Sequence, residues 1–258
     1  MGIVNVTPDS FSDGGDLLDT DRAIAAAHAM VRAGADIIDI GGETTRPHST
    51  PTSSDVECNR ILPVIRALAA AGIVVSVDTR HAATMRAALA AGASLINDIS
   101  ALADPGAAAV IAAAGCPVVL MHMRGEPRTM HDYATYGDVV SEVAAELRHR
   151  IDAARQADIA RDKIVIDPGL GFAKTATHNL YLLSRLDVLC DLGYPVLVGA
   201  SRKRFIDVVA GATEPKDRLP GSLAAALHAV TKGARLIRVH DVPETVQALR
   251  VWQAIQQR

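Results

Sequence analysis

Short runs of β-branched and apolar residues return along the chain at nearly regular intervals, and this repetition constrains the fold more than any other feature. They are GIVNV (2–6), DIIDIGG (36–42), IVVSVDT (73–79), SLINDIS (94–100), PVVLMH (117–122), KIVIDP (163–168), PVLVG (195–199) and RLIRVH (235–240). Their near-continuous apolar character is that of parallel strands covered on both faces. Between them lie Ala-, Leu- and Arg-rich segments of helical period, such as DRAIAAAHAMVRA (21–33) and DVVSEVAAELRHRIDAARQA (138–157). Gly34, Gly72, Gly92, Gly115, Gly193 and Gly233 each follow a helical segment and precede a strand, where a left-handed residue closes the helix. Before KIVID that place falls to Asp158, which tolerates the left-handed region at a cost of roughly 1 kcal/mol or less.

Eight strand–helix units in 258 residues predict a single (β/α)₈ TIM barrel domain spanning 1–258. The competing open, doubly wound sheet is weakened because no Gly-x-Gly-x-x-Gly turn follows the first strand. The uncharged stretch from Pro105 to Met121 is broken by Gly115-Cys116-Pro117. It therefore reads as a helix, AAAVIAAA, followed by a buried strand, VVLM, and not as a membrane span.

A net charge of −3 gives no basic excess for nucleic acid or an anionic membrane surface, so any anion site depends on local placement of Arg and Lys. Cys58, Cys116 and Cys190 have neither zinc-ligand nor disulfide spacing and read as small apolar fillers suited to a reducing cytoplasm. The opening residues lack a basic stretch ahead of an apolar signal region, so the expected location is cytoplasmic.

In a (β/α)₈ barrel the C-terminal strand ends form the mouth of the active site. Those positions hold Asn5, Gly41-Gly42-Glu43, Asp78, Asn97-Asp98, His122, Asp167, Ser201-Arg202-Lys203, Arg238 and His240. A single polar strand end is as well explained by capping or loop satisfaction; a whole rim of them points to a ligand. Asp78, Asn97 and Asp167 are acceptor-rich, as the amino and N–H edge of a heterocycle requires. Arg46, Lys203, Arg238 and His240 are cations or able to become so, as a phosphate-bearing tail requires. His122 either satisfies the core or lines the cavity. His131, Tyr133 and Tyr136 read as structural or gating.

The ordered series NVTPDSFSDGG, GGETTRP, SVDT, NDIS, DPGLGF, GASRK and RVHD strongly resembles the dihydropteroate synthase family of folate biosynthesis, over nearly the whole chain. The resemblance implies condensation of a dihydropterin-methyl diphosphate with 4-aminobenzoate to give 7,8-dihydropteroate and diphosphate, with Mg²⁺ as cofactor, in a homodimer. It implies that Asp78, Asn97, Asp167 and Lys203 bind the pterin. Asn5, Thr45, Arg238 and His240 would handle the diphosphate, with Asn5 also a metal ligand. Phe11, Arg46, Pro47, Phe172, Ser201 and Lys203 would form the aminobenzoate pocket that sulfonamide-like mimics address. The residues carrying the reaction would be Lys203, Arg238, His240, Asp78 and Asp167, the two aspartates binding and stabilising a cationic pterin.

Two departures stand out. His48 replaces the family's usual Gly in the second loop, and the chain starts almost on its first strand, which reads as either a trimmed or a shorter start, with some loss of stability expected. Two rival readings share the pterin contacts: a corrinoid-linked folate methyltransferase, against which NVTPDSF, TTRP and RVH count, and a non-catalytic pterin binder. DPGLGF is not a dinucleotide turn; it reads as a tight turn that sets Asp167 inward and Phe172 over the mouth. Phe11, an aromatic in a Gly/Ser/Asp loop, reads as the apolar face of a lid.

Overall fold

The structure, a computed structural model, describes residues 1–7, 16–44 and 52–257, the side chains of 16–19 excepted. Strands β1 (Gly2–Asn5), β2 (Ile38–Gly41), β3 (Val75–Asp78), β4 (Leu95–Asp98), β5 (Val118–Met121) and β6 (Ile164–Asp167) pair in parallel in chain order. Strands β7 (Leu197–Val198) and β8 (Leu236–Ile237) form a second parallel pair. Two isolated parallel bridges, Ile166 with Val196 and Gly2 with Val239, join the two pieces into a ring. The backbone carries that closure. Ile166 donates to the Pro195 carbonyl at 2.9 Å, Ile3 to Val239 at 2.9 Å and Val239 to Met1 at 2.9 Å.

Helices α1 (Asp16–Arg32), α2 (Ser54–Ala70), α3 (Ala82–Ala90), α4 (Ala107–Ala114) and α5 (Val139–Gln156) follow the first five strands. The sixth strand is followed by α6 (Ala176–Ser184) and α7 (Leu186–Cys190), and the seventh by α8 (Arg204–Ala210) and α9 (Leu219–Thr231). The ring ends with α10 (Val242–Gln256). The predicted (β/α)₈ barrel is the observed fold. The uncharged stretch resolves as foreseen into α4 and β5, and no helix among the described residues is long and apolar enough to cross a membrane.

Strand alternation sorts the side chains. Ile38, Ile40, Val75, Val77, Val118, Leu120, Ile164 and Ile166 face outward into one large core shared with the helices. The intervening residues face into the barrel. Low in the barrel, Leu95, Val119 and Leu197 pack with Met1, Val165 and Leu236 in a separate apolar plug. Above it the inward positions turn polar. The register places Asn5 beside Gly41, Gly41 beside Asp78, and Asp78 beside Asn97, so the rim residues share one level.

All six punctuating glycines have positive φ, and Asp158 shares that conformation at φ 64°. Asp158 is exposed, so a glycine there relieves backbone strain without losing packing. Asp158→Gly is expected to raise stability by ~0.5–1 kcal/mol, read as a higher urea midpoint at unchanged m-value.

Candidate functional site

Asp39, midway along β2 between two outward isoleucines, is fully buried inside the barrel. A carboxylate there requires a partner, and Arg238, just beyond β8, supplies it. The Arg238 Nε–H donates to Asp39 Oδ2 at 2.6 Å and Nη2–H to Asp78 Oδ2 at 2.8 Å. Asn97 Nδ2–H also donates to Asp39 Oδ2, at 3.1 Å. Burial opposes the arginine's charge, but the two carboxylates outweigh it and hold its pKa above the ordinary value. Asp78 still ends at about 7, because burial raises it and neighbouring carboxylates add to that against the one guanidinium.

Asp167 closes the acceptor wall at the end of β6. Burial raises its pKa, while the Gly169 N–H donating to Oδ1 at 2.7 Å and the nearby cations Lys203 and Arg238 work the other way. The turn after it has the foreseen form, with Gly169 at φ 66° and Gly171 at φ 80°. Glycine is required at position 169, since a Cβ would lie 2.0 Å from the His122 carbonyl oxygen. Phe172 and Lys203 are brought together. The ammonium stands 4.2 Å from the ring centroid, an attraction between a cation and a π-face. Burial and then the Arg238 cation lower Lys203 to about 8.

Ser201 and His240 form one unit. The His240 backbone N–H donates to Ser201 Oγ at 3.1 Å, and that hydroxyl lies 3.0 Å from His240 Nδ1. A serine hydroxyl can accept a second bond or give its own proton, so this contact holds the ring in place in either tautomer. Burial, then the cations Arg202 and Arg238, lower the pKa of His240 to about 4. Near neutrality the imidazole is therefore neutral in the absence of a ligand.

Other rim residues shape the loops. Asp98 faces outward and accepts from the Ser100 N–H and hydroxyl and from the Leu102 N–H, fixing the turn after β4. Glu43 accepts two bonds from Arg80, at 3.0 and 3.1 Å, and one from the Thr52 N–H at 3.0 Å. It thus ties together both flanks of the second loop. His122 satisfies the core: it is buried, with Nε2 3.0 Å from Glu146 Oε2 and Nδ1 2.8 Å from Lys174 Nζ. Tyr136 is structural, donating its hydroxyl to the Ala173 carbonyl at 3.0 Å. Phe11, Thr45, Arg46, Pro47 and His48 lie outside the described residues.

Over residues 1–240 the sequence matches the family described as pterin binding enzyme. A dihydropteroate synthase of Escherichia coli (strain K12) is 47% identical over 255 residues, covering 98% of this chain and 90% of that protein. The chain belongs to the dihydropteroate synthase family. The Xanthomonas albilineans dihydropteroate synthase with 4-aminobenzoic acid is 50% identical, with a TM-score of 0.94 over 99% of this chain and 92% of its own. The same enzyme in complex with 7,8-dihydropteroate is 48% identical, with a TM-score of 0.91 over 99% and 92%.

Within the dihydropteroate synthase frame, sequence reasoning missed Asp39 and Lys174. Asp39 carried a signal: one acid between isoleucines in an apolar strand must meet a cation inside the fold. Lys174, a loop residue after DPGLGF, carried none. For a metal, no group of three or more His, Cys, Asp or Glu among the described residues is placed to hold an ion. Asn5 offers one exposed hard oxygen donor at the end of β1, while Asp39 and Asp78 are turned to Arg238. That donor set fits a Mg²⁺ that brings most of its oxygen ligands with it, the usual manner in which this ion is bound to phosphate substrates.

Arg238→Met strands Asp39 and Asp78 without their cation and is expected to cost ~3–5 kcal/mol, measured by urea unfolding. A second expectation concerns acid. His240 is held neutral down to about 4 against an ordinary 6.5, so unfolding between those values takes up a proton. Its contribution to stability is complete above the ordinary value and is lost as pH falls. In His240→Gln the pH slope of the unfolding free energy should shrink by ~1.4 kcal/mol per pH unit between roughly pH 6 and 4.5.

Proposed function

We propose that this protein condenses (7,8-dihydropterin-6-yl)methyl diphosphate with 4-aminobenzoate, releasing diphosphate and forming 7,8-dihydropteroate. The observation that carries this is the arrangement of one mouth: an acceptor wall of Asp78, Asn97 and Asp167 beside a Lys203–Phe172 pair, on a dihydropteroate synthase frame. The X. albilineans enzyme, with 4-aminobenzoic acid and with 7,8-dihydropteroate, supports both halves of the reading.

Asp167, Asp78 and Asn97 accept the amino and ring N–H groups of the pterin. A ligand N–H edge in the wall favours the charged carboxylates, drawing Asp78 back below its ligand-free value of about 7. The wall thus becomes more negative when the ring arrives, which suits positive charge growing on the pterin methylene as the C–O bond to diphosphate breaks. Arg238 anchors the wall and adds its field near the tail, and His240 offers a ring N–H to a phosphate oxygen. Mg²⁺, held in part by Asn5, would stabilise the charge collecting on the leaving diphosphate. Lys203 and Phe172, with Ser201, orient the aromatic amine, which is already a nucleophile and needs placement more than activation. The reaction is then a dissociative, SN1-like substitution, and Thr45, Arg46, Pro47 and Phe11 complete the tail and amine sites from the two mouth loops. Assembly as a homodimer in a reducing cytoplasm accompanies this reading, in line with three free, half-buried thiols.

One assay tests it: purified protein with both substrates, with and without Mg²⁺, following diphosphate and dihydropteroate. Product is expected with metal. Pterin binding without product would make the protein a binding module, and methyl transfer from methyltetrahydrofolate to a corrinoid protein would make it the rival enzyme. Asp167→Asn should weaken pterin binding by about 1–3 kcal/mol, seen by calorimetry, since a charge-assisted pair is lost. Unchanged affinity would place the ring elsewhere.

A further inference from the structure

Lys174 is a lysine that the mechanism above does not use, and it is only 6% exposed. Among the described residues no carboxylate pairs with it, and burial lowers its pKa to about 7. Instead Nζ reaches His122 Nδ1 at 2.8 Å and the carbonyl oxygens of Phe172 at 2.9 Å, Gly169 at 3.1 Å and His122 at 3.3 Å. Withdrawing an ammonium from water is costly unless its protons are well used. Here they gather the end of β5 and both shoulders of the turn after β6.

His122 is itself fixed. With Nδ1 accepting from the lysine, its Nε2–H donates to Glu146 on α5 at 3.0 Å. Glu146 also binds Arg124, whose guanidinium lies 4.0 Å above the Tyr136 ring, and Tyr136 donates to the Ala173 carbonyl. Ala173 is fully buried at φ 48°, a conformation a non-glycine residue keeps only when its surroundings hold it. The carbonyls of Gly169, Phe172 and Ala173 are thus all tied, through Lys174 with His122 and through Tyr136, to the segment that follows β5. The other side of this turn carries the Phe172 ring that meets Lys203, and a Cβ on Gly171 would press on Lys203 Cδ at 3.1 Å.

We infer that Lys174 is a positioning residue for the amine half of the site: by gathering the carbonyls of His122, Gly169 and Phe172, its Nζ sets the pose of the Phe172 ring against Lys203. It touches neither substrate. The inference rests on the reading of Phe172 and Lys203 as part of the aminobenzoate pocket, but its structural half is measurable apart from catalysis. Lys174→Met keeps most of the side-chain stem and removes the Nζ donor.

In lysine-labelled protein without ligand, the Lys203 Cε–Hε resonance, assigned with Lys203→Arg, should be displaced by the Phe172 ring current. That displacement should vanish in Phe172→Ala and fall by at least half in Lys174→Met. Its survival in Lys174→Met overturns the inference, whatever reaction the protein catalyses. In kinetics, Lys174→Met should raise KM for 4-aminobenzoate about tenfold, change the Kd of the pterin diphosphate less than twofold, and add less than twofold to KM in the Phe172→Ala background. Equal losses for both substrates, or additivity with Phe172→Ala, would make Lys174 a general structural residue and overturn the inference. Should Lys174→Met not fold, Tyr136→Phe releases the same turn at Ala173. It should show the same selective pattern at a smaller scale, and its absence there is also decisive. A wild-type protein that makes no dihydropteroate would sink the reaction proposed above and leave the resonance measurement to decide this inference.

Discussion

One guanidinium inside the barrel organises most of what surrounds it. Arg238 leaves the short strand β8, passes β1 and bonds to carboxylates on β2 and β3. Strands β7 and β8 have two residues each, and few ladder hydrogen bonds join them to the six-stranded arc. The ion pairs therefore stitch the seam of the ring from within, beside the backbone bonds of Met1, Ile3 and Val239. They also decide which charges face the mouth. Two carboxylates share one cation, so the level keeps an excess of acceptors, and the Asp39 oxygen not bonded to Arg238 is buried without a partner among the described residues. An acceptor-rich cavity of this kind is a poor place for an anion and a good one for an N–H edge or a developing cation.

The cations are distributed to match. Lys203 is at the mouth but eased toward neutrality by burial. Buried His122 and half-buried His240 are held neutral by desolvation and neighbouring cations, at about 3 and about 4. His122 then works as a relay between Lys174 and Glu146, and the His240 ring is held in place by Ser201. Removing charge from these groups avoids repulsion with Arg238, Lys203 and Lys174 in a confined space. What remains is a site that combines an acceptor wall with the Phe172–Lys203 pair and a neutral imidazole.

The frame was legible because its signals are local. Parallel strands covered on both faces read as apolar runs, and helix ends need left-handed residues, so the positions of Gly115 and Asp158 alone marked two boundaries. Rim residues such as Asn5, Asp78, Asn97 and Asp167 were legible because barrel topology puts strand ends together, whatever their separation in sequence. Asp39 was overlooked because its partner is 199 positions away, and an acid inside an apolar run has no local explanation. Lys174 was illegible for a different reason. Its acceptors are backbone carbonyls, which every sequence has, and only the folding of the turn points them at one spot.

The sequence by itself determined the (β/α)₈ order and the chemical types available at the mouth, because both follow from the repeated strand–helix pattern and from residues at strand ends. Tertiary structure decided how those types are spent. It turned Arg238 onto Asp39 and Asp78, kept His240 neutral and buried Lys174 beneath the Phe172 turn. Those outcomes depend on desolvation and on distances between distant segments, and neither quantity exists until the chain has closed on itself.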